Sequence, residues 1–158
     1  PGSAAARMQD INGAVGDKWY VTAHVYKRSG TNAQIYALAK GASSGSIGHV
    51  MHAEVYNSMA VEVWTRYSSV ITATNDGIRV QIGRTSGHTF DFNVDGVCAI
   101  NLTAAFGAGN EPTVAEMDAL FAILPDGWFE GTLTLTQKQI TTWLLNLIRA
   151  NTAAIVAL

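Results

Sequence analysis

The sequence is short of charge, cysteine and proline, and each shortage narrows the reading. Only 14% of the 158 residues are charged, and the formal net charge is −2. A nucleic-acid surface needs a basic face, so that class of partner is set aside. Sparse charge also argues that part of the surface is covered by another molecule, since isolated domains usually carry more. The single cysteine, Cys98, excludes an internal disulfide framework. It lies in an apolar stretch and reads as a small buried hydrophobe rather than a reactive thiol. No run is long and apolar enough for a clear membrane span, which gives no reason to expect a membrane partner. No basic start leads into an apolar run with a cleavage site, so no secretion signal is read. The opening PGSAAARMQD and the closing AAIVAL both look like cut edges, and the expectation is a fragment of a longer protein.

Chemistry-bearing patterns are also missing. There is no Gly-x-Ser-x-Gly elbow and no phosphate loop. Gly107, Gly109 and Asn110 do not complete a dinucleotide fingerprint. Asp91, Asn93, Asp95 and Gly96 spell the opening of a calcium loop, but Leu102 stands where a bidentate Glu is required. A strand with outward polar residues followed by an Asp-Gly turn is the simpler reading. His24, His49, His52 and His88 form no zinc-spaced pair with cysteine or with a carboxylate on a helix. His49 and His52 are expected in one strand with side chains on opposite faces. Glycosidase chemistry needs two facing carboxylates, and nothing pairs Glu54 with Glu62 or Asp76 with Asp91. The expectation is therefore no catalytic residues, no metal and no cofactor.

What is present is β-strand patterning. In residues 18 to 27, Trp19, Val21, Ala23 and Val25 alternate with Tyr20, Thr22, His24 and Tyr26. Further strands are expected at 34 to 39, 49 to 57, 60 to 68 continuing through 70 to 74, 78 to 83, around Phe90 and Phe92, and 97 to 102. Asn75-Asp76-Gly77 reads as a hairpin, Thr85-Ser86-Gly87 and Asp95-Gly96 as turns, and Gly41 to Gly48 as a flexible connector. Roughly seven or eight short strands at this spacing predict an antiparallel β-sandwich. Residues 1 to 17 read as a linker with room for a short strand, 18 to 131 as the sandwich module, and 132 to 158 as a separate helix.

A short helix is expected after the last strand. Thr113 and Glu116 have capping-box spacing, and Met117, Leu120, Phe121 and Leu124 follow on one face. Glu111, Glu116 and Asp118 suit the positive end of that helix. In the terminal segment, Ile140, Leu144, Leu147, Asn151, Ala154 and Leu158 recur at heptad spacing, widened by Trp143, Ile148 and Ile155. This amphipathic helix is expected to self-associate or, failing that, to lie on its own sandwich.

The string LTAAFGAGNEPTVAEMDALF resembles a motif of phage and prophage tail-tip and baseplate proteins. Leu102, Thr103, Phe106, Gly107, Gly109, Asn110, Glu111, Pro112 and Thr113 carry the resemblance. Asn101 stands where Asp is usual. The resemblance implies a jelly-roll-like module, similar to carbohydrate-binding modules, carried on a virion and acting outside the cell. It also implies other tail proteins as partners and, with the heptad seam, a homotrimer. It names no ligand.

One surface is a candidate for a host-surface polysaccharide. If Val61, Val63, Ile78, Val80 and Ile82 face inward, Glu62, Trp64, Arg66, Arg79 and Gln81 share an outer face. His24 and Tyr26 join them if their strand lies in the same sheet. An aromatic plate beside Arg, Gln and Glu suits a sugar ring and its hydroxyls. The competing reading buries Trp64 under a loop or a neighbouring subunit. Three functions follow: a glycan-binding tail module, a structural trimerising segment, or an accessory domain of a wall-degrading enzyme.

Overall fold

The computed structural model describes residues 6–84 and 89–122. The chain divides into two compact units, Pro1–Asp118 and Ala119–Leu158. Of the second unit only residues 119–122 are described. The expected seam from Ile140 to Leu158, the turn at 85–87, His88 and the expected boundary at 131 lie outside the described residues.

The first unit is a β-sandwich. Strands β1 (Ala6–Asn12), β2 (Lys18–Gly30), β3 (Ala33–Ala39) and β4 (Gly48–Met51) precede helix α1 (Ala53–Ser58). Strands β5 (Trp64–Thr72), β6 (Gly77–Arg84) and β7 (Phe90–Asn101) follow, then helices α2 (Leu102–Phe106) and α3 (Val114–Phe121). One sheet has the order β1-β6-β3-β4 and the other β5-β2-β7. All pairings are antiparallel. The chain changes layer at every connection except β3 to β4.

Between the layers sits one apolar core. Trp19, Val21, Ala23 and Val25 of β2 meet Ala33, Ile35 and Ala37 of β3 and Ile78 and Val80 of β6. The alternation in β2 dictates this: every second side chain points inward, and each large one contributes about 1.5–3 kcal/mol when fully buried. Cys98, expected as a core hydrophobe, is only partly buried and sits opposite Thr22. Burial pushes its thiol up from the ordinary value.

Several expectations are corrected. Residues 49 to 57 are not one strand. β4 ends at Met51, and α1 takes over because Ala53 and Tyr56, three apart, bury together. The Tyr56 hydroxyl donates to Ser29 O at 2.7 Å. His49 and His52 therefore do not face apart. Their rings stack with centroids 4.1 Å apart. Val61 and Val63 precede β5 and are exposed, not inward. Asn75-Asp76-Gly77 makes no hairpin within a sheet, since β5 and β6 belong to different layers.

Asp95-Gly96 does not end a strand either. β7 runs unbroken, and Thr22 pairs with Cys98 while His24 pairs with Asp95, so β7 carries one extra residue. Gly96 accommodates it at φ 56°, the left-handed geometry of a β-bulge. The bulge resets the alternation: Phe92 and Val94 pack on the core before it, Val97 and Ala99 after it.

Candidate functional site

The outer face of the three-stranded sheet is built in transverse rows. In the first, Tyr26 of β2 lies between Trp64 of β5 and Asn93 of β7. In the second, His24 lies between Arg66 and Asp95. Directly opposed residues share a face. Four predicted residues, Trp64, Arg66, His24 and Tyr26, thus come together. Asn93 and Asp95, read from sequence only as outward polar residues, join them.

Trp64 is 47% exposed, and its ring centroid stands 5.4 Å from that of Tyr26 with the planes tilted by 46°. This pair forms an open aromatic wedge on the surface. Burial, and then the Arg66 charge, hold the His24 imidazole below its ordinary pKa, while Asp95 pulls the other way. His24 is therefore neutral at physiological pH and contributes a polar edge rather than a charge.

Arg66 is committed to an internal clamp. Its Nη2 donates to Asp118 Oδ1 at 2.5 Å and to the Tyr20 hydroxyl oxygen at 2.7 Å. Asp118 Oδ1 also accepts from the hydroxyls of Tyr20 and Ser68, both at 2.7 Å. Burial alone would raise the Asp118 carboxyl, but the donors Tyr20, Ser68 and Arg66 together hold it below the usual value. Burial, aided by Asp118, pushes the Tyr20 phenol up to about 12. Asp118 was expected only to favour a helix dipole. Its real partners lie 98, 52 and 50 residues away in sequence, beyond any local pattern.

Arg79 and Gln81 do not join this face. They belong to β6 in the other sheet. Arg79 grips Asp10 through both Nε and Nη2, at 2.5 and 2.6 Å, and donates to Ala42 O. Gln81 is buried and donates to the Tyr36 hydroxyl oxygen at 2.7 Å. Glu62 is exposed in the loop before β5, at φ 60°. Of the carboxylates weighed for hydrolysis, Asp76 pairs with Lys40 at 2.8 Å in the connection before β6, whereas Asp91 lies on β7. Among the described residues, no group of three or more His, Cys, Asp or Glu side chains is placed to hold a metal ion.

The motif region is a local fastening. Asn101 caps α2 by accepting from Ala104 N at 2.9 Å. Gly107 and Gly109 take positive φ, 87° and 84°. The capping box forms as expected, with Thr113 N donating to Glu116 Oε2 at 2.7 Å and Glu116 N to Thr113 Oγ1 at 3.3 Å. Glu111 has the larger role. Its side chain is 5% exposed and accepts from Thr103 Oγ1, Gly109 N and Lys18 Nζ at 2.9, 2.9 and 3.2 Å. Its own backbone N–H and then Thr103 lead the interactions that hold its carboxyl down to about 2.

Because the folded pKa is depressed, the stabilisation is complete above the reference value of 4.5 and vanishes as pH falls toward about 2. Glu111→Gln should remove that acid-dependent component. Urea denaturation of both proteins across this window checks it. Stability curves that stay parallel would show that Glu111 is not the titrating fastening.

No protein-family model matches the chain, and no curated protein matches it.

Proposed function

We propose that the chain is a non-catalytic binding module of a phage or prophage tail, contacting host-surface glycan through the Trp64 end of the three-stranded sheet. The observation that carries the reading is the Trp64–Tyr26 wedge, exposed beside Asn93, Asp95 and His24. Aromatic faces receive the C–H side of a sugar ring, and the amide, carboxylate and imidazole at its edge take the hydroxyls. The two rows lie about 7 Å apart along the strands and each crosses about 10 Å, a shallow footprint suited to a short saccharide. The motif from Leu102 to Thr113 supports the tail assignment by its resemblance. In this reading other tail proteins flank the module, and the terminal seam joins three copies.

Adsorption of the full chain to purified bacterial cell-wall saccharide tests the proposal. Trp64→Ala should weaken binding by about thirtyfold, the scale of a hot-spot aromatic. Its melting temperature should barely change, because Trp64 is half-exposed. Unchanged affinity in this variant, or no binding by the parent chain, counts against the reading.

A further inference from the structure

We infer that the glycan received by the Trp64–Tyr26 wedge carries free ammonium groups, as in an amino-sugar polymer that is not N-acetylated. This rests on the glycan reading above and narrows it. Two features of the face meet here. The first is the wedge itself: with centroids 5.4 Å apart, both rings can lie within the ~6 Å over which one cation is attracted.

The second is the charge around it. Asp95 lies one row from Tyr26, and Asp91 lies further along β7. Both are exposed, as is Glu62 in the loop beside Trp64. Among the described residues, none of these carboxylates forms an ion pair. Asp95 Oδ1 accepts from Gly96 N at 2.8 Å. The basic groups nearby offset them only in part. The Arg66 charge is met by Asp118. Lys27 points inward, to backbone carbonyls. Among the described residues, Arg28, exposed at the end of β2, is the one cation on this side without a carboxylate partner. The face therefore presents aromatic rings inside a negative surround. A phosphate-rich or carboxylated polymer meets like charge there, whereas an ammonium-bearing one meets opposite charge and π-faces together.

Isothermal titration of the full chain with glucosamine oligomers, and with N-acetylglucosamine oligomers of the same length, tests this in mildly acidic buffer. The free-amine series should bind about tenfold tighter, and added salt should erase the difference. Asp95→Asn should shrink the ratio while keeping the oxygen that holds Gly96 N. Trp64→Ala should weaken both series. If the N-acetylated form binds equally well or better through Trp64, the ammonium inference falls and the glycan reading stands. The inference also falls if Asp95→Asn leaves the ratio untouched. If neither series binds, or Trp64→Ala changes nothing, both fall.

Discussion

Gly77→Ala is expected to lower stability by about 4 kcal/mol, a drop in melting temperature of roughly 15 °C. Gly77 opens β6, opposite Asn12 at the end of β1. Its φ is 141°, which side-chain-bearing residues rarely adopt. An added Cβ would also lie 1.9 Å from Ile11 O. That contact is with backbone, so no rotamer change relieves it. β1 must shift away from β6, and the pairing that closes the edge of the four-stranded sheet is disturbed. The same turn carries the chain from one layer to the other, so the strain falls where the sandwich is joined. Thermal denaturation followed by circular dichroism checks the result, and a loss below about 1 kcal/mol would show that the turn relaxes freely.

Lys27→Met is expected to cost about 2 kcal/mol. Lys27 is buried on the inward side of β2, where an apolar residue would be the ordinary choice. Its Nζ donates to Tyr56 O at 2.8 Å and Asn57 O at 3.2 Å, with Met59 O at 3.5 Å. These carbonyls lie at and just beyond the C-terminal end of α1, and only a weak 3.3 Å bond from the Met59 N–H to Tyr56 O supplements the ammonium there among the described residues. The ammonium also stands 4.8 Å from the centre of the Tyr56 ring. Methionine keeps the bulk of the side chain and removes every donor. The carbonyls are left under-satisfied, and α1 loses its anchor to β2. Hydrogen exchange should show the α1 amides opening earlier than those of β2. Uniform exchange across both elements would mean that Lys27 does not fasten the helix.

The parts legible in the sequence are those governed by local rules. The alternation of Trp19, Val21, Ala23 and Val25 gives β2 its inward face because the side-chain period is two. Thr113 and Glu116 form their capping box because both partners are three residues apart. The sandwich follows from many short alternating segments. Misreadings arose where local signals were ambiguous or long-range pairing decided the outcome. Phe92 with Val94, and Val97 with Ala99, alternate in opposite phase, which resembles two strands around a turn. One residue of bulge at Gly96 explains the same pattern. Arg79 looked like a neighbour of Arg66, but layer membership depends on how the chain crosses between sheets, and no spacing encodes that. Glu111 holds Lys18 across 93 residues. Tyr26 was expected on the face of Trp64 only on the condition that its strand lies in the same sheet, and β2 and β5 do share one.

The most direct test of the proposed glycan-binding face follows the indole N–H signals of the four tryptophans during titration of the full chain with host cell-wall saccharide. The account predicts that the Trp64 signal moves progressively to saturation while that of Trp19, buried in the core, stays in place. A saccharide that binds the chain and leaves the Trp64 signal unmoved would contradict it.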